Sequence, residues 1–335
     1  MKISELKVDI AGAGVAGSYL GRLLKGSATL FDDNPTPGCG CAWGTARSQV
    51  RELLRDVGLR LSDYVLCEVD GVIENNVYTP CGNLIVIHKP KLIRDLRSGL
   101  TIRRKRYSFG DREGDLVVNA TAVPSGREVF SLDTLQTRTG IIGAEKKTIY
   151  TYINPNHAGY SWIFPLDEDG RSFHLGAACI GIQPERLVRQ ILTYYKLSAE
   201  NSSCGCDKKL HVADPRNVDL VKGNVVAVGG AAGCVNPITG EGILSSMFSA
   251  KLLTQTLDEG GDLSSYASSL RKYLSGHDKA YRIFRQMLVI PGLAWLGGLR
   301  YNAVEALEHF EPELGRGHLT KLLLNSTLIA LRNIV

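Results

Sequence analysis

The sequence predicts an α/β protein: a doubly wound nucleotide-binding domain, a mixed-sheet second domain and a helical C-terminal region. Three observations predict it. A strand-like segment, Leu6 to Ala11, turns through Gly12-x-Gly14-x-x-Gly17 into a helix. Far downstream a second apolar segment, Asn224 to Gly229, runs into another glycine-rich turn and a long helix. Between them, residues 126–211 are rich in β-branched and aromatic residues at strand spacing.

At 335 residues the chain is long enough for about two domains on a prior of roughly 100–200 residues each. With 44% hydrophobic and 22% charged residues it is neither disordered nor fibrous. Its eight cysteines are too sparse for a disulfide scaffold. A formal net charge of +5 is too small for a nucleic-acid footprint, yet it suits weak attraction to anionic lipid or phosphorylated substrates. The run from Met1 into a strand has no signal-peptide pattern, and Met287 to Leu299, interrupted by Pro291, is too short to span a bilayer. The expectation is a cytoplasmic protein, at most peripheral at the inner membrane surface.

In chain order, Ser18 to Lys25 reads as a helix and Ala28 to Phe31 as the second strand of a βαβ opening. Asn34 to Gly44 is a loop of Pro, Gly and Cys, and Arg47 to Val57 a helix stopped by Gly58. Val65 to Val69, Val72 to Tyr78 and Asn83 to Ile87 are strands, and Pro90 to Leu96 a short helix with proline at its first position. Thr101 to Tyr107 and Asp115 to Ala120 return to strand; Lys147 to Ile153 and Phe173 to Ile180 are the clearest strands of the β-rich stretch, with a helix at Pro184 to Leu197. Glu241 to about Leu257 is helical, as is most of the chain beyond Asp262. This divides the chain into a discontinuous nucleotide-binding domain (1–62, 82–125, 215–260), a substrate domain (63–81, 126–214) and a helical region (261–335).

The first glycine turn (Gly12, Ala13, Gly14, Ala16, Gly17) suits a dinucleotide. Gly12 allows the tight turn, Gly14 lets backbone approach a pyrophosphate, and Gly17 lets helix and strand pack closely. Asp32 follows Gly12 by twenty positions, where a carboxylate can accept from ribose hydroxyls; Asp33, one step past the strand, is the competing acid. In the aromatic segment Tyr160-Ser-Trp162-Ile-Phe164-Pro165, alternation places Tyr160, Trp162 and Phe164 on one strand face, either as core or as an apolar cavity wall.

Cys39-x-Cys41 and Cys204-x-Cys206 raise a metal site, but structural zinc pairs are usually separated by more residues; no metal is expected, and Cys41 is the better candidate for a redox thiol. Cys67, Cys81, Cys179 and Cys234 read as small buried hydrophobes. His318 to Asn333 carries Leu319, Leu322, Leu323, Ile329 and Leu331, a helix that either packs on the fold or rests on a membrane surface.

Gly229-Gly230-Ala231-Ala232-Gly233-Cys234-Val235-Asn236-Pro237-Ile238-Thr239-Gly240-Glu241-Gly242-Ile243 resembles the second flavin motif, G-D-A-A-G-x-V-N-P-x-x-G-E-G-I, of the FAD enzymes that include aromatic hydroxylases and geranylgeranyl reductases. Gly230 stands where that motif has its Asp. Cys41-Ala42-Trp43-Gly44 resembles the reductases' P-x-x-C-G-E-G loop, His88-Lys89-Pro90-Lys91-Leu92-Ile93-Arg94 their D-R-x-x-F-D-K segment, and Asn119-Ala120-Thr121-Ala122 their A-D-G turn. Tyr160 to Pro165 is similar to their Y-x-W-x-F-P signature, although its second glycine motif is reduced to Gly176-Ala177-Ala178.

The resemblance to geranylgeranyl reductases (digeranylgeranylglycerophospholipid reductase-like, in the p-hydroxybenzoate hydroxylase-like superfamily) runs from Lys7 to about Leu257. It implies a Rossmann-like FAD-binding domain with a mixed-sheet substrate domain, and reduction of C=C bonds in an isoprenoid or lipid chain. It implies FAD contacts at Asp32 or Asp33, Cys41, Ala42, Gly44, Lys89, Gly230, Gly240, Gly242 and Ile243. Substrate contacts fall on Tyr160, Trp162, Phe164 and Pro165, with catalytic parts for Cys41, Tyr160 and Trp162. The electron donor is external: NADPH, ferredoxin or another. Two other readings stay open: a flavin monooxygenase or halogenase, the latter with a related W-x-W-x-I-P strand, and an electron-carrying flavoprotein.

Overall fold

The computed structural model describes residues 5–25, 27–34, 43–110, 114–200, 202 and 204–290. In chain order the elements are β1 (Val8–Ala11), α1 (Val15–Leu23), β2 (Ala28–Phe31), β3 (Gly44–Ala46), α2 (Arg47–Asp56), β4 (Val65–Glu68), β5 (Gly71–Glu74), β6 (Val77–Pro80), β7 (Leu84–Ile87), α3 (Lys89–Arg97), β8 (Thr101–Arg103) and β9 (Leu116–Asn119). There follow β10 (Val129–Thr139), β11 (Ile141–Ile142), β12 (Thr148–Ile153), β13 (Gly159–Pro165), β14 (Phe173–Cys179), α4 (Pro184–Tyr195), β15 (Ser198–Ala199), β16 (Cys204–Ala213), β17 (Val221–Lys222), β18 (Val225–Ala227), α5 (Ile243–Asp258), α6 (Leu263–Tyr273) and α7 (Ser275–Val289).

Segments from three stretches of sequence build a six-stranded sheet in the order β17-β18-β9-β1-β2-β8, parallel except for its β17–β18 edge. Every residue of β1 is buried, as a central parallel strand requires. Its Asp9 is tolerated there because Tyr107 Oη and the Gly114 amide donate to the carboxylate, at 3.2 and 3.1 Å. Helices α1, α2, α3, α5 and α6 share the main core with one face of this sheet, through Leu20, Leu54, Leu92, Leu253 and Leu270. The other face carries a thin cluster of Ala11, Phe31, Val117 and Tyr107.

The second sheet has seven strands in the order β16-β10-β14-β13-β12-β5-β6, antiparallel apart from the β5–β12 pair. A three-stranded sheet, β3-β7-β4, sends Ile85 and Ile87 into the main core and Leu84 and Val86 into a cluster with Ile149 of the second sheet. Thus β4, which the sequence reading assigns with β5 and β6 to the substrate domain, pairs instead with β7.

Val72 to Tyr78, read as one strand, is a hairpin: Asn75 and Asn76 both take positive φ (46° and 68°), as a two-residue hairpin turn requires. Two long strands, β10 and β16, escape the sequence reading because Asp133, Gln136 and Arg138 interrupt β10 with polar groups, and Lys208 and Lys209 do the same in β16. Pairing defines them: β10 with β16 from Val129–Ala213 to Arg138–Cys204, and β10 with β14 from Asp133–Cys179 to Thr139–Phe173. The helical C-terminal region is described through α7, which packs Phe284 and Met287 against the second sheet. The 318–333 segment lies outside the described residues. No described helix is long and apolar enough to cross a membrane.

Candidate functional site

The two glycine turns face one cavity of about 400 Å³ that continues across the seven-stranded sheet. At one end lie Gly14, Val15 and Ala16, the start of α1. Gly14 caps that helix without a side-chain hydrogen bond, no acidic residue sits in its first turn, and nothing lies within 4 Å of where a Cβ would point. Uncompensated amides beside open space form a cradle for an anion. Gly12 and Gly17 serve the turn rather than the opening. Gly12 has φ +102°, and a Cβ on Gly17 would collide with the Gly12 carbonyl, so only glycine lets α1 start against β1.

Asp32 and Ala13 are bound together: the Ala13 amide donates to Asp32 Oδ2 at 2.8 Å. Arg97, at the end of α3, completes the clamp. It donates to Asp32 Oδ2 (2.9 Å), to the Ala13 carbonyl (2.8 Å) and to the Asn34 carbonyl (3.3 Å). Burial lowers the pKa of Arg97, the Asp32 carboxylate pulling the other way. Sequence reasoning missed Arg97, because its partners lie far away in sequence and no local motif marks it. A smaller pocket of about 210 Å³ opens here, lined by Asp32, Asn34, Arg97, Leu100, Ile102 and Arg104. Asp33 points elsewhere, exposed and 3.8 Å from Arg106.

The cavity then passes Ala120, Ala122 and Gly230 to Gly44, Lys89, Gly240, Gly242 and Ile243. The second turn is fixed by Asn236, whose side-chain oxygen accepts from the amides of Ile238 and Thr239, and by Glu241, which accepts from the Leu244 amide at the start of α5. Tyr160, Trp162 and Phe164 form the facing wall. A Cβ at Gly240 would run into Tyr160 Oη, one at Gly44 would lie 2.5 Å from the Phe164 ring, and one at Gly176 would lie 2.5 Å from Trp162 Cζ2. These glycines are therefore the seats of the aromatic rings. Pro165, grouped with them in the sequence reading, is on the opposite face of β13, buried and away from the cavity, because successive residues alternate.

Beyond the aromatics the wall is finished by Ile149, Thr151 and Ile153 of β12, Val72 and Glu74 of β5, and Cys81. Glu74 accepts from Thr151 Oγ1 at 3.2 Å. Behind Gly44, Trp43 stacks on His88 (5.5 Å between ring centres) and meets His174 edge-on (4.1 Å). Burial, reinforced by Arg138 and Lys89, pushes the pKa of His174 down to about 3, so its ring is neutral.

Cys41 and Ala42 lie outside the described residues, as does Cys39. Cys67, Cys179 and Cys234 are buried and have thiol pKa values pushed up to about 12 by burial, which suits packing and not thiolate chemistry. Among the described residues no group of His, Cys, Asp and Glu can hold a metal ion.

No family model matches the chain. Among curated proteins it is similar to digeranylgeranylglycerophospholipid reductase 3 of Methanosphaera stadtmanae, 26% identical over 177 residues, 49% of this chain and 41% of that protein. It is also similar to the menaquinone reductase of Mycolicibacterium smegmatis, 27% identical over 146 residues, 39% of this chain and 34% of that protein. The match thus spans less than half the length of either relative. Among solved structures, a geranylgeranyl bacteriochlorophyll reductase-like protein of Thermoplasma acidophilum aligns over 98% of both chains with a TM-score of 0.69 at 15% identity. A flavin-dependent brominase aligns over 98% of this chain and 100% of its own with a TM-score of 0.63 at 13% identity. The fold is therefore that of the flavin-dependent oxidoreductases, and the chain is similar in motif and in sequence to the geranylgeranyl reductases.

Proposed function

We propose that the protein is an FAD-dependent reductase that saturates C=C bonds of geranylgeranyl chains. The observation that carries this reading is the aromatic face of Tyr160, Trp162 and Phe164 in the wall of the same apolar cavity that takes in Gly242 and Ile243 of the second glycine turn. An apolar aromatic wall beside a backbone-lined glycine turn suits a polyene held near a planar ring and offers little to a polar substrate.

The described residues fit FAD. Gly14 to Ala16 present a cradle for the pyrophosphate, Asp32 stands at the ribose end, and Gly44, Lys89 and Gly240 to Ile243 line the stretch left for the ring. When bound, reduced FAD supplies a hydride to one alkene carbon while a proton reaches the other. The chain's own task is to exclude water and orient the substrate. Gly240 and Gly176 leave room for the Tyr160 and Trp162 rings, and Ile149, Ile153 and Val72 extend the apolar wall for the rest of the isoprenoid. Electrons come from an external donor such as NADPH or ferredoxin.

The test is an absorption spectrum of the purified protein, then anaerobic reduction and addition of a geranylgeranyl lipid with mass analysis. Flavin bands and a gain of two hydrogens per reduced bond are expected. A flavin that is reduced but leaves the lipid unchanged, and instead consumes oxygen with an aromatic substrate, would overturn the alkene reading in favour of a monooxygenase or halogenase.

A further inference from the structure

Ala122 and Gly230 meet in the cavity lining, and the left-handed conformation falls on the alanine and not on the glycine. Ala122 sits at φ +65°, in the left-handed region that suits glycine, whereas Gly230 has no positive φ and its backbone would accept a side chain. The obstacle at 230 is steric. A Cβ there would meet Ala122 Cα at 3.0 Å, its Cβ at 3.2 Å and its carbonyl oxygen at 3.3 Å.

Neither side can easily give way. The turn leading to Ala122 is pinned by Asn119, whose Oδ1 accepts from the amide (3.2 Å) and hydroxyl (2.8 Å) of Thr121, while the Asn119 carbonyl accepts from the Val228 amide. Opposite, the Gly229 amide donates to Ser249 Oγ and the Gly233 amide to the Gly230 carbonyl. Both residues line the cavity between the two glycine turns.

We propose that Ala122 and Gly230 are a matched pair that sets the grip on the cofactor: the Ala122 backbone, held in its left-handed turn, and its methyl together take the room that a polar side chain at 230 needs, so this stretch of the site offers the cofactor backbone and methyl contact in place of a carboxylate. Ala122 is thereby the residue that determines cofactor affinity there. This rests on the FAD reading above.

The experiment is a double-mutant cycle of Ala122→Gly, Gly230→Asp and the pair, read by melting temperature of the cofactor-free protein and by FAD titration followed through flavin fluorescence. Gly230→Asp alone is expected to melt about 5 °C or more below the parent and to bind FAD more weakly. Adding Ala122→Gly restores the melting temperature and tightens FAD binding at least tenfold over the Gly230→Asp protein. Additive effects of the two changes would overturn the proposal. If the parent and all variants ignore FAD while the melting temperatures remain coupled, the cofactor reading falls and the steric pairing stands.

Discussion

At the Gly14 end of the cavity, position is held by polar bonds: Asp32, the Ala13 amide and Arg97 form one closed cluster with both charged side chains 13% exposed. At the Tyr160 end it is held by shape, with each aromatic ring resting where a glycine leaves room. The contrast teaches that a fixed polar constellation holds the Gly14 half in a single geometry, whereas the Tyr160 half relies on non-directional packing, which under the proposed function would tolerate a long flexible chain.

The largest effect should come where the polar end depends on backbone approach. Gly17→Val drives a side chain into the Gly12 carbonyl and is expected to cost roughly 3 kcal/mol or more, measured by denaturant unfolding. A near-native midpoint would show that the α1 start can move and that the polar end is not rigid.

The second effect is one of pH. His174 is held neutral in the folded protein with a pKa of about 3, against an ordinary value of 6.5. Below pH 6.5 the unfolded chain takes up a proton that the folded chain refuses, so stability falls as pH drops toward 3, by up to about 1.4 kcal/mol per unit, and is insensitive to this group above 6.5. Unfolding curves across that range should show the slope, and His174→Gln should lessen it, leaving the part due to His88 and His211, whose pKa values burial also lowers.

Arg97→Met leaves the Asp32 carboxylate partly buried without its cation and is expected to cost about 2 kcal/mol and weaken FAD binding at least tenfold, by titration. If only the aromatic end is affected, the division between polar and packed ends is wrong. The smallest effect belongs to Asp33→Asn. Its carboxylate is exposed and 3.8 Å from Arg106, so stability and FAD affinity should stay within about 0.5 kcal/mol of the parent.

Much of the polar end was legible because glycine spacing and the acid at the end of the second strand are local signals: Gly12, Gly14, Gly17 and Asp32 can be read without knowing what lies opposite. Arg97 was not, because it reaches Asp32 and Ala13 from a helix that begins far down the chain. The aromatic alternation of Tyr160, Trp162 and Phe164 was also local, but which residues seat the rings was not. Gly176 lies across a strand pair from Trp162, and Gly240 comes from the other sheet's second turn.

By itself, then, the sequence determined the α/β class, the two glycine turns and the face of β13 that carries the aromatics, since these follow from periodicity and from conformations only glycine adopts. Tertiary structure alone decided that β4 joins β7, that Arg97 clamps Asp32 and that Ala122 confronts Gly230. Each of these is a contact between residues distant in the chain, and such contacts are selected by the packing of whole elements, which no local pattern encodes.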